Sequence, residues 1–387
     1  MEGVPEWVGP AETPAERLAR SARQERGYRL FEMAGALLPG LSLALALAVV
    51  GTGIADWIGS VSGFEKTPVS PVLIAILLGL AIRNTVGLPG IYELGLQLCL
   101  RRILRIGVAL LGIRLGLAAL GSIGLLALPI VTACIATALV LVNRVSRALG
   151  LPPRLGTLVA VGTAICGNTA IVATGPAIGA DEDEISYAVG CITVFGLVAL
   201  VTYPFLSQWI FPDAPELAGL FLGTAIHDTA QVVGAGMLYL EQFGDARALD
   251  VATVTKLVRN LFMIAVIPLV AVLHHRGSAR RANVSAPRLG QVVPLFVFGF
   301  VAMALLRTLG DLGREPFGGL LSREGWSAAI ESVAAIAGWC LAMAMASVGL
   351  GTHLQRLRTL GWRPLAVGLA AAVTVGGVSA LLIKTLG

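Results

Sequence analysis

Residues 164–176 read AICGNTAIVATGP, inside one of the most apolar parts of a chain that is 56% hydrophobic and 13% charged. A soluble domain carries about 25% charged residues. The composition therefore implies a polytopic membrane protein and not a water-soluble enzyme with a large core. Mean hydropathy is +0.84, and 47 glycines suit membrane helices, in which Gly is commoner than in soluble ones. In lipid an unpaired backbone N–H or C=O costs several kcal/mol, so irregular backbone survives only where protein buries it or a polar cavity receives it. Gly162, Gly167, Gly175 and Pro176 all weaken helical continuity here, Gly by about 1 kcal/mol relative to Ala and Pro by removing a donor. Asn168 and Thr169 can supply partners for the freed groups. The stretch reads as a helix broken within the membrane. Its half-helix N-terminus carries positive partial charge that favours an anion.

Apolar segments elsewhere cover residues 34–54, 70–86, 103–120, 122–142, 155–179, 187–208, 217–240, 253–273, 290–308, 326–350 and 364–384. At roughly 20 residues per crossing, these predict about eleven spans. Basic residues concentrate in 87–105, 143–154, 274–288 and 355–363, and acidic or neutral ones in 55–69, 180–186, 241–252 and 309–325. By the positive-inside rule this places the N-terminus in the cytoplasm and the C-terminus outside. Residues 1–32 read as a polar, basic cytoplasmic tail, with Arg17, Arg20, Arg23, Arg26 and Arg29 at three-residue spacing, ahead of a transport domain at 33–387. The net charge of +5 sits mainly in loops, which points to topology and not to nucleic acid. The five cysteines form no CxxC pair, so neither a disulfide framework nor a metal site is indicated, and no cofactor is called for.

GTAICGNTA at 162–170 echoes GTAIHDTA at 223–230 with one gap. Internal repeats with interrupted hydrophobic segments are pointers to a transporter site. Ionisable residues in spans face a cavity or a partner. His227 and Asp228, adjacent in the second copy of the echo, point to an unwound or cavity-lining turn. Lys256 and Arg259 lie three apart on one helix face with Asn260 close by, suiting an acidic partner or an anionic ligand. Arg114 offers either an anion contact or a buried ion pair. Cys166 reads first as a small packing residue. An intramembrane enzyme would need it within hydrogen-bond reach of His227, and no enzymatic activity is expected.

The stretches GTAICGNTAIVATGPAIGA (162–180), AVGCITVFGLVALVTYP (188–204), HDTAQVVGAG (227–236) and ATVTKLVRN (252–260) together resemble the YeiH-like family of bacterial inner-membrane proteins, from about residue 36 onward. The resemblance implies a multi-pass plasma-membrane protein proposed to export sulfate or related anions, with the architecture of secondary transporters built from inverted repeats. Asn168 and Thr169 depart from the Ser-Ala expected after the glycine, which bears on selectivity.

The fold expected is thus an all-α membrane protein with broken or re-entrant helices and transporter-like internal repeats. The site expected comprises Cys166, Gly167, Asn168, Thr169, His227, Asp228, Thr229, Gln231, Lys256, Arg259, Asn260 and Arg114, near the bilayer centre. The backbone around Gly167 to Thr169 would hold anion oxygens, and Lys256 and Arg259 would supply positive potential. His227 and Asp228 would carry a coupling proton or neutralise the cations. A Na⁺/H⁺ antiporter using Asp228 and Asn168 as ligands is the alternative. The partners expected are a small anionic solute (sulfate, a sulfonate or a carboxylate), the lipid bilayer, a coupling proton or Na⁺, and a second copy of the chain.

Overall fold

The computed structural model describes residues 14–62, 69–275, 295–312, 315–355 and 361–386, and all regular structure among them is helical. Most basic residues of the 274–288 and 355–363 loops lie outside the described residues. Helix α1 (Pro14–Ser62) is continuous, so the boundary expected at residue 32 falls within a helix. It is followed by α2 (Pro71–Thr85), α3 (Glu93–Leu98), α4 (Leu104–Leu111) and α5 (Leu117–Ala148). Next come two interrupted pairs, α6 (Pro153–Ala164) with α7 (Asn168–Ala177) and, beyond α8 (Glu182–Ile210), α9 (Pro215–Ala225) with α10 (Thr229–Phe243). A third pair, α11 (Ala246–Leu261) and α12 (Met263–His275), is bent by 41°. The chain closes with α13 (Leu295–Gly310), α14 (Arg323–Gly351) and α15 (Trp362–Leu386).

Among the described residues, five helices are long and apolar enough to cross a membrane, namely residues 34–61 of α1, then α5, α8, α14 and α15; the bent α11–α12 pair makes six. Each apolar segment named above carries helix among the described residues, but the expected count of about eleven crossings is not reached by single helices. The reason lies in the breaks. The pieces α6, α7, α9 and α10 are 12, 10, 11 and 15 residues long, each short of a bilayer. Segment 103–120 is likewise divided, with α4 giving way to a 3₁₀ turn at Gly112–Arg114. Where helices begin between the two pairs, local chemistry decides. Asp181 caps α8 in a reciprocal box with Glu184, and Glu182, Asp183 and Glu184 crowd its first turn, where the helix dipole favours acids.

Large apolar side chains such as Leu125 and Trp209 face outward, as a lipid-exposed surface requires. Inside, two apolar clusters form. The larger gathers the buried faces of α5 through α12 with α15. The smaller lies where α1, α2 and α3 meet the end of α14. There Gly79 of α2 lies against the α14 backbone; a Cβ at that position would stand 2.8 Å from the Ala346 carbonyl oxygen, the close approach that small residues permit between membrane helices. At the centre of the larger cluster runs α11. It packs against α5, α9 and α10 and is buried almost all round.

Candidate functional site: the crossing of two broken helices

Both halves of the sequence echo break at the same place. Helix α6 ends at Ala164 and α9 ends at Ala225, each the last residue of a Gly-Thr-Ala triplet before Ile. In the first break Ile165 leaves helical geometry and Gly167 takes φ 66°, ψ −123°, a conformation open to Gly and costly to other residues. The second break is extended from Ile226 to Asp228, with ψ 141° and 147° at those residues. Segment 155–179 is therefore interrupted, as its Gly, Asn and Thr content predicts.

A broken helix leaves carbonyls unpaired at one end and N–H groups unpaired at the other. One face of α11 meets the carbonyls of both breaks. Lys256 Nζ donates to the backbone oxygens of Ile165 (2.9 Å) and Ile226 (3.1 Å), and also to that of His227. Three acceptors match the three donors of an ammonium group. Arg259 donates through Nε to Ala164 O (2.8 Å), through Nη1 to Thr224 O (2.8 Å) and Ile226 O (3.0 Å), and through Nη2 to Thr163 O. Both side chains are fully buried. Cations at helix C-termini oppose the negative dipole end, so these two cap α6 and α9 together.

The opposite ends are served by one acid. Asp228 is the N-cap of α10; its carboxylate accepts from Ala230 N (2.9 Å) and Gln231 N, and the Gln231 side chain receives the Asp228 N–H (3.3 Å). The same carboxylate also stands beside the start of α7, close to the Gly167–Asn168 backbone. Gly167 makes this possible, because a Cβ there would lie 3.2 Å from Asp228 Cβ and Oδ2. Gln231 is further held by its Nε2 donating to Thr193 O of α8 (3.1 Å), and the Asn168 side chain pairs with Thr193 Oγ1 (3.3 Å). Asn260 Nδ2 reaches Thr229 Oγ1 (3.2 Å), while Asn260 Oδ1 is buried with no partner among the described residues. Asn168, Asp228 and Thr229 are half-buried and Thr169 is exposed.

The structure thus brings Gly167, Asn168, Asp228, Thr229, Gln231, Lys256, Arg259 and Asn260 together, and it gives the cations backbone carbonyls as their direct partners. Lys256 and Arg259 face the carbonyl ends of the breaks, and their donors are largely taken up there. Asp228 likewise occupies the N-terminal ends where an anion was expected. Arg114 stands apart in an ion pair with Asp250 of α11 (3.2 Å). His227 contributes its backbone carbonyl, and both its ring nitrogens are buried without partners among the described residues. Cys166 is buried with Sγ 3.2 Å from Met263 Sδ, and no hydrogen bond joins it to His227 among the described residues. Asp250, Thr193 and Met263 were not foreseen. Asp250 was assigned to a loop, with Arg114 left open between an anion contact and an ion pair; Thr193 and Met263 carry no signal in an apolar helix.

A multi-pass helical membrane protein with two interrupted helices meeting over a charged central helix is a definite class of molecule. Comparison with known sequences makes the assignment closer: the family model described as conserved hypothetical protein 698 matches residues 39–368, and the chain belongs to that family. A UPF0324 membrane protein of Agrobacterium fabrum is 31% identical over 89% of this chain and 91% of its own length. The UPF0324 inner membrane protein YeiH of Escherichia coli K12 is 29% identical over 88% of this chain and 92% of its own. A Fusobacterium nucleatum relative is 30% identical over 90% of this chain and 98% of its own. No solved structure matches the chain.

Proposed function

We propose that this protein is a secondary transporter that exports a small anion across the bacterial inner membrane, with its site at the N-terminal side of the two breaks. The N-terminus is cytoplasmic in this reading, and the two echoed breaks are equivalent elements of an internal repeat. The observation that carries it is the charge balance at the crossing. Two buried cations, Lys256 and Arg259, stand against one acid. Asp228 is the one carboxylate acting on Lys256, and no carboxylate acts on Arg259, among the described residues. An unbalanced buried charge is expensive, and an anionic solute relieves it. Sulfate, a sulfonate or a carboxylate would each meet backbone N–H groups with the Asn168, Thr169 and Thr229 side chains.

A second reading has its own support. The unpartnered Asn260 Oδ1 beside Thr229, together with Asp228, is an oxygen-rich set of the kind that holds Na⁺. Proteoliposomes containing the purified protein separate the two. Saturable uptake of labelled sulfate, sulfite, taurine or acetate without Na⁺ is the expected result. Proton flux driven by Na⁺ and indifferent to every anion would replace this reading with the cation antiporter.

A further inference from the structure

Asp228 is itself an anion seated where the breaks offer their positive ends. We propose that its carboxylate is a tethered stand-in for the solute, so that an anion enters the crossing only when Asp228 takes up a proton and yields its backbone donors. The inference rests on the anion-transport reading above and specifies how that site is regulated.

The geometry supports it in three ways. First, the carboxylate accepts two N–H groups at the beginning of α10 and stands against the start of α7 at Gly167, so it fills the place where two helix beginnings offer donors to an oxyanion. A protonated acid accepts less well, and it gains an O–H donor. Second, an acceptor for that O–H is at hand at the start of α10. Asn260 is 2% exposed, its amide N–H₂ is fixed on Thr229 Oγ1, and its Oδ1 is left without a partner. Third, the other charges at the crossing are pinned. Lys256 and Arg259 of α11 are held by carbonyls of both breaks, so they set a constant positive field and do not compete for the anion.

The titratable groups facing Asp228 are Lys256 and, from the first break, Cys166. His227 is adjacent in sequence and lies near both cations. From α8 the site receives the Thr193 oxygens, which do not titrate. One proton therefore accompanies each anion into the site, so a monoanion leaves the charge of the crossing unchanged and only a dianion such as sulfate lowers its positive excess, by one unit.

The test measures equilibrium binding of radiolabelled sulfate, with taurine and acetate as further probes, to the purified full-length protein in detergent between about pH 5 and pH 8. Wild type is expected to lose affinity by about tenfold per pH unit at the alkaline end, as linkage to one proton requires. Asp228→Asn, which keeps a good N-cap, is expected to bind with an affinity that does not change with pH. A second measurement needs no variant: wild type mixed with sulfate in weakly buffered solution at the alkaline end should take up about one proton per anion bound, read with a pH indicator. Anion binding with no proton uptake, or an Asp228→Asn protein that melts cooperatively yet keeps the wild-type pH slope, overturns the stand-in role while leaving anion transport in place. Absence of binding by any probe at every pH overturns the transport reading and this inference with it.

Discussion

The two breaks share a sequence echo and end their first helices at the same residue of it, yet they solve the N-terminal problem differently. The second supplies its own cap, since Asp228 and Gln231 form a reciprocal box at the start of α10. The first supplies none. Gly167 has no side chain to offer, and the start of α7 has the carboxylate of Asp228 beside it from across the crossing. At the carbonyl ends the asymmetry disappears, because Arg259 and Lys256 each serve both breaks. Similar sequence thus gives two elements that are equivalent at one end and dependent at the other. The difference teaches that a break in lipid is stabilised by whatever charge the whole assembly can bring to it, and not by its own residues alone.

The strongest challenge to this comparison is Arg259→Met, which strands carbonyls of both helices at once. A loss of about 3–5 kcal/mol is expected, as for removal of one member of a buried charged network. It would be read as a fall in melting temperature or in the yield of folded protein in detergent; a change no larger than that of a surface substitution would mean the carbonyls find other donors. Next in size, Gly167→Ala should destabilise by about 1–3 kcal/mol, the cost of a strained backbone position, since the new Cβ meets Asp228 in a backbone conformation suited to Gly. A fully stable Gly167→Ala protein would show that the first break can relax without disturbing the second.

The smallest effect is expected at the rim, where the loop acid Asp245 caps α11 through Arg247 N (2.8 Å) and meets the Arg247 side chain. The hydrogen bond from the Arg247 side chain, with the backbone cap adding to it, holds its carboxyl below the usual range. A depressed folded value means the contribution is complete above the ordinary Asp pKa of about 3.9 and is lost as pH falls through the folded one. Asp245→Asn keeps the cap, so a melting shift of no more than about 2 °C at neutral pH is expected. Its stability should also vary less than that of wild type in acid below about pH 4. A larger effect at neutral pH would put rim and crossing on one footing.

Much of this was legible in the residues. Gly167 and Asn168 marked one break, and the adjacent His227 and Asp228 marked the other, because neither pair suits a regular helix in lipid. The spacing of Lys256, Arg259 and Asn260 put them on a shared face. What the spacing could not give was direction. A buried cation is equally consistent with a solute and with unpaired carbonyls, and the carbonyls that decide the matter belong to every residue alike. The expected crossings are not all single helices for a related reason: hydrophobic runs record where chain is buried, and 155–179 and 217–240 are pairs of half-helices. Arg114 was open between two roles until Asp250 appeared within the start of α11, a helix that begins earlier than its apolar residues suggest.

Helix α11 acts as a common axle. Neither α6 nor α9 can slide past it without withdrawing carbonyls from Lys256 or Arg259, so these three elements move as a single body. Any rearrangement of the molecule has to fall on weaker seams around that body, such as the one where Glu241, near the end of α10, reaches across to Ser70 and Val72 at the head of α2.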